Sequence, residues 1–128
     1  MQYFGKIRDE MFPAPGALGG HAEGISIARL MTPEIGDDHQ VRMVCIQLQP
    51  GGHVSPHTHY FDQVYFSVMG ELEVTVAGDV CRMSPGTYAV IPAGTVHSSR
   101  NVGKAAERHL EIMGGPRDPS KKAFEPAE

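Results

Sequence analysis

From Ile25 to Met113 the chain falls into stretches of about five to eight residues, nearly all closed by a turn containing Gly or Pro. A helix of ordinary length needs about ten to twelve uninterrupted residues with apolar positions three and four apart, and no segment supplies them. The stretches are Ile25–Met31 (closed by Thr32-Pro33), Val41–Leu48 (ending at Pro50-Gly51-Gly52), Gln63–Met69, Leu72–Val76, Val80–Met83, Thr87–Ile91, Val96–Asn101 and Ala106–Met113. Within Val41–Leu48, residues Val44, Ile46 and Leu48 share one face, because strand side chains alternate with period two. Gly70-Glu71 reads as the tight turn of a β-hairpin joining Gln63–Met69 to Leu72–Val76. The fold class implied is all-β, an antiparallel sandwich or closed barrel.

Composition limits the alternatives. At 128 residues, 41% apolar and 20% charged, the chain suits one globular domain with a real core. A net charge of −4, with Lys121-Lys122 the only adjacent basic pair, gives no electrostatic reason to expect nucleic acid as a partner. Residues 1–24 read as an N-terminal arm, about 25–113 as the barrel and 114–128 as a polar tail. The arm has no apolar core of a signal peptide, and no run approaches the ~20 apolar residues of a membrane span. Cys45 and Cys81 form no CxxC pair and read as free buried thiols. A cytoplasmic location, with no membrane association, is the expectation.

Chemistry concentrates in two places. His57-Thr58-His59 is followed by Gln63, and His97 lies downstream after Pro92-Ala93-Gly94-Thr95-Val96. Histidines one residue apart point to the same face of a strand and can hold one divalent ion, each at about 2.0–2.1 Å. The carbonyl oxygen of Gln63 reaches the same side if the intervening residues stay extended, and His97 must come from another strand. Asp62 is the rival of Gln63 if a bulge turns it inward.

The spacings are fuller than a lone HxH. Gly51 is followed by five residues, His57-Thr58-His59, three residues, Gln63, six residues and Gly70. After fifteen intervening residues comes Gly86, then five residues, Pro92, one residue, Gly94, two residues, His97, three residues and Asn101. Both patterns resemble the two signature motifs of the cupin superfamily, over roughly Val41 to Met113. The resemblance implies a double-stranded β-helix (a jelly-roll barrel), usually a homodimer, with one divalent metal ion (Fe, Mn, Ni, Co or Zn) near one mouth. It implies His57, His59, Gln63 and His97 as ligands. Cupins commonly carry Glu where Gln63 stands. A neutral amide leaves the full metal charge uncompensated, which makes a stronger Lewis acid and favours an anionic substrate.

Tyr65, Ser67 and Met69 follow Gln63 at even spacing and should share its cavity face. Tyr65 either packs as core or contacts substrate. His109 lies on the last strand, where Leu110 and Ile112 are expected to take the core face. It is a hydrogen-bonded or solvated residue, or an acid/base at the pocket. Ser99 shares a face with His97; Tyr88, Arg42 and Arg100 are candidates for binding a carboxylate. His53 is expected to be exposed, and His21 and His39 lie in loops.

The resemblance suggests a metal-dependent enzyme on a small oxygenated substrate, by isomerase or lyase chemistry with Tyr65 and His109 as catalytic residues. The alternatives are an Fe(II)-dependent dioxygenase and a non-enzymatic small-molecule or metal sensor. Cupin regulators of transcription add a helix-turn-helix segment, and the residues before the first motif show no helical pattern to supply one.

Overall fold

The computed structural model describes residues 3–17, 19–30 and 40–127. Among them the regular elements are ten β-strands and one 3-10 turn at Asp9–Met11. The strands are β1 (Gly16–Ala17), β2 (Ala22–Arg29), β3 (Val41–Thr58), β4 (Gln63–Met69), β5 (Leu72–Val76), β6 (Asp79–Met83), β7 (Tyr88–Ile91), β8 (His97–Asn101), β9 (Glu107–Gly114) and β10 (Glu125–Pro126). Every pairing among them is antiparallel. Of the first expected strand, Met31 lies outside the described residues, as do the Thr32-Pro33 closure and His39.

The long strand β3 is the spine of the barrel. Its first half pairs with β9, which continues through β4 to β7; its second half pairs with β8, which continues through β5 to β6. The two halves close on each other as a jelly roll. The turn at Pro50-Gly51-Gly52 does not end the strand as the sequence suggested; the chain bends there and stays paired on both sides. Pro is tolerated at such a bend because no ladder bond is required of its nitrogen. Gly52 is buried where two backbones nearly touch: a Cβ there would lie 2.8 Å from the Gln49 carbonyl oxygen and 2.9 Å from that of Gly24.

A second irregularity lies five residues on. Val54 faces Ser99 across the ladder while His57 faces His97, so Ser55 and Pro56 together oppose only Ser98. This bulge changes the parity of the strand. Val54 points inward before it and His57 points inward after it. Two backbone bonds hold the bulge: Ser55 N–H donates to His21 O (2.7 Å) and Ala127 N–H to Pro56 O (2.8 Å).

The expected hairpin between β4 and β5 does not form. Strand β4 pairs with β7 and β9, whereas β5 pairs with β6 and β8, so Gly70-Glu71 carries the chain from one half of the barrel to the other. The local turn signal was sound, but ladder partners are set by closure of the barrel. The tight hairpin instead joins β5 to β6 through Ala77-Gly78, where both residues have positive φ.

Ala22, Ile25, Ile46, Leu48, Val54, Tyr65, Leu72, Val74, Met83 and Ile91 form the apolar core. Cys45 is buried as expected, but Cys81 is exposed on β6. Met69 also departs from expectation: a register shift after Ser67 breaks the alternation and leaves it 39% exposed. The N-terminal arm packs against the barrel, with the Arg108 guanidinium 4.2 Å over the Phe12 ring and Ser26 Oγ donating to Pro13 O. The C-terminal tail likewise returns, and β10 pairs with β3 at Thr58 and His57.

Gly52→Ala tests the bend. The added methyl has only backbone to push against, so urea unfolding should show a loss of about 1–3 kcal/mol.

Candidate metal centre

The bulge in β3 makes His57 and His97 directly opposed residues of adjacent strands, with ring centroids 4.1 Å apart. His59 follows just past the end of β3, 4.7 Å from the His57 ring and 5.2 Å from that of His97. One ligand nitrogen from each of the three lies within 4.8 Å of the others. His57 and His97 are each only 2% exposed.

The ring orientations are fixed by the backbone. His57 Nδ1 donates to Ser55 O (2.8 Å), His97 Nδ1 to Thr95 O (2.9 Å), and His59 Nδ1 to Ala123 O. A carbonyl can only accept, so each Nδ1 carries the proton and each Nε2 keeps its lone pair. Burial holds the imidazoles neutral. It lowers His57 to about 4, with its histidine neighbours adding to the effect, and it lowers His59 and His97 as well. Three neutral imidazoles with convergent lone pairs are what a divalent cation requires.

Gln63 begins β4 with its side chain inward, 2% exposed. Its Nε2 donates to Glu111 Oε1 (3.2 Å), while Oε1 is buried with no hydrogen-bond partner among the described residues; His97 Nε2 is orphaned in the same way. Leaving a buried acceptor unpaired costs about 1–3 kcal/mol. An unpartnered His97 Nε2 within the three-histidine cluster fits a bound cation. Asp62 does not compete for it: its side chain accepts from Ala93 N–H (2.8 Å), and its carbonyl from Gly114 N–H (3.0 Å), clasping the turn that leads to His97.

Behind Gln63 the barrel wall is polar. Glu107, His109 and Glu111 occupy the inward face of β9, and Leu110 and Ile112 are half-buried on the outer one, the reverse of the expected facing. His109 is fully buried, with Nδ1 2.8 Å from Glu107 and Nε2 3.0 Å from Glu111. Carboxylates accept only, so both ring nitrogens are protonated and the ring is a cation. Burial would lower its pKa, but the two carboxylate bonds win and raise it to about 9. Burial likewise favours protonation of Glu111, and the bond and charge of His109 overcome it, so its pKa falls. Tyr65 is 2% exposed, its ring 4.9 Å from that of His109 and 5.9 Å from that of His97. Burial, then the neighbouring Glu111 charge and a hydrogen bond to it, pushes the phenol well above its ordinary value. Glu107 and Glu111 were missing from the sequence reading; the ExHxE spacing on one strand was the signal available.

The other expected residues scatter. Ser67 and Ser99 are buried inward, and Asn101 binds Leu48 O and Ala105 O as a turn clamp. Arg42 is on the inner face, 8% exposed; Nε donates to Gly115 O, its guanidinium lies 5.0 Å from the Phe61 ring, and Nη2 has no partner among the described residues. Tyr88 is 67% exposed and Arg100 pairs with Glu73 on the outside. His53 is half-buried rather than exposed, and His21 sits 5.9 Å from the Phe124 ring. Phe124 itself stacks on His57 at 4.4 Å, so the tail forms part of the mouth.

The family model for the cupin domain matches residues 44–113, more than half the chain, and the chain belongs to the cupin family. KdgF from a Halomonas species is similar in structure, at 27% identity and a TM-score of 0.65 over 77% of this chain and 84% of that one. The polyketide cyclase RemF from Streptomyces resistomycificus shares the fold at 17% identity, with a TM-score of 0.76 over 98% and 86% of the two chains. Mannose-1-phosphate guanylyltransferase from Salmonella montevideo is 26% identical over 83 residues, 64% of this chain but only 17% of that enzyme.

The shifts predict how the metal-free protein responds to pH. The low pKa of His57 means that the unfolded chain takes up a proton first, so its share of stability is lost as pH falls from about 6.5 to about 4. His109 acts oppositely: its share is complete below about 6.5 and is lost as pH rises through about 9. Urea midpoints should therefore peak near neutrality and fall on both sides. Replacing His109 with Gln should flatten the alkaline limb and leave the acid limb in place.

Proposed function

We propose that this protein is a mononuclear metal enzyme acting on a small, oxygen-rich anionic substrate by isomerase or lyase chemistry. The observation that carries the reading is the cluster of His57, His59 and His97, one ligand nitrogen of each within 4.8 Å of the others, with His97 Nε2 buried and unpartnered among the described residues. His57, His59, His97 and Gln63 would hold the ion. When bound, a divalent ion with four neutral ligands supplies Lewis acidity, polarising a substrate oxygen. Imidazole suits Fe, Ni and Zn alike, so the ligand set does not select the metal.

The remaining residues supply the proton. Tyr65, kept un-ionised beside the His97 ring, is the acid that delivers a proton to a developing oxyanion. In the resting site the single Tyr65 hydrogen is on its bond to Glu111, so delivery requires the hydroxyl to turn from Glu111 to the substrate, and the proton given up is replaced from His109 Nε2 through the Glu111 carboxylate. Arg42, buried and only partly paired among the described residues, offers a second anchor for a substrate carboxylate.

Metal analysis is the decisive experiment. Protein purified and equilibrated with zinc should hold close to one ion per chain, and the His57→Ala/His59→Ala double variant should hold none; equal content in both refutes the site. For chemistry, turnover of sugar acids and keto acids should persist without oxygen and fall at least about a hundredfold in Tyr65→Phe. Oxygen uptake matched to turnover would assign the dioxygenase reading instead. Zinc binding with no turnover of any such acid would leave a sensor.

A further inference from the structure

We propose that Glu111 is the positioning residue that makes Gln63 a metal ligand, and that the two side chains together replace one acidic ligand. The amide contributes the oxygen and the carboxylate behind it contributes the charge. This rests on the metal-centre reading above.

The geometry leaves the Gln63 amide one orientation. Glu111 Oε1 lies 3.2 Å from the amide, and an ionised carboxylate has no hydrogen to give, so only Nε2 can face it. Oε1 is thereby turned away, buried and unpartnered among the described residues. The other Glu111 oxygen accepts from His109 Nε2 at 3.0 Å and the carboxylate also takes the Tyr65 hydrogen bond, so the group is surrounded by donors and serves as an acceptor toward Gln63 as well. The Glu111 side chain is 14% exposed and that of His109 0%, so bulk water does little to screen the arrangement. Behind Gln63 two carboxyl groups, those of Glu107 and Glu111, flank the single imidazole of His109. A metal at the mouth would meet a neutral ligand with the Glu111 carboxylate one hydrogen bond further out. The ion stays more electrophilic than with a directly bound carboxylate, and the site is still charge-compensated.

The test exchanges the pair. Zinc affinity, measured by competition with a chromophoric chelator, should weaken about 10–100-fold in Glu111→Gln, whose amide no longer enforces the orientation of Gln63. Gln63→Glu alone sets carboxylate against carboxylate and should also bind more weakly than wild type. The double variant Gln63→Glu/Glu111→Gln restores a donor–acceptor pair with the same atoms and charge, and should return to within about threefold of wild type. Circular dichroism of the metal-free forms shows whether each variant is folded. A folded Glu111→Gln with wild-type affinity, or a folded double variant no better than Glu111→Gln, overturns the proposal. If the variants do not fold, the wild-type protein decides by nuclear magnetic resonance. The Gln63 side-chain N–H protons should exchange slowly and shift on zinc addition; exchange at the rate of a free amide, or no shift, overturns it. A wild-type chain that binds no zinc overturns both this inference and the metal reading. Wild-type binding without coupling between positions 63 and 111 overturns this inference alone.

Discussion

Two residues of β3, Ser55 and Pro56, stand opposite one residue of β8, and the inward facing of His57 follows from that mismatch. A regular strand continuing the phase of Val54 would have sent the His57 ring to solvent and left His97 without a partner. The extra residue is held from outside the strand, by the His21 carbonyl on one side and the Ala127 amide on the other. Segments at both ends of the described chain therefore control the geometry of a site near its middle. The tail acts twice, since Ala123 O also fixes the ring of His59 and Phe124 covers that of His57.

The barrel interior divides into two regimes. Leu48, Leu72, Val74 and Met83 are buried apolar packing, each of the large ones contributing roughly 1.5–3 kcal/mol relative to exposure. The wall near the mouth carries Gln63, Tyr65, Glu107, His109 and Glu111, a polar network in a place where a core would ordinarily be greasy. Such a network tends to contribute little net stability, because desolvation offsets most of the attraction. It holds in place the Gln63 amide, through Glu111, and an un-ionised Tyr65 phenol.

Motif residues were legible in the sequence because their chemistry is local. The HxH pair, the glycines and the Pro92–Gly94 turn announce themselves by type and spacing, and the antiparallel strands follow from period-two alternation between turns. Alternation failed where it met irregularity. Met69 left the cavity face after a register shift, and β3 ran through a bend read as its end. Leu110 and Ile112 misled for a different reason: an apolar residue on a strand normally marks the core, and here a charged triad takes that face.

What the sequence determined unaided was the all-β class, the cupin motifs and the three histidines, because residue type and spacing along one strand fix which atoms are on offer. Which strands pair, which face of β9 is inside and which end of the Gln63 amide faces Glu111 were decided only in three dimensions. Those outcomes depend on contacts between residues far apart in the chain: Gln63 with Glu111, His57 with His97, His59 with Ala123. No local pattern encodes them, since each arises only when closure of the barrel brings the two partners together.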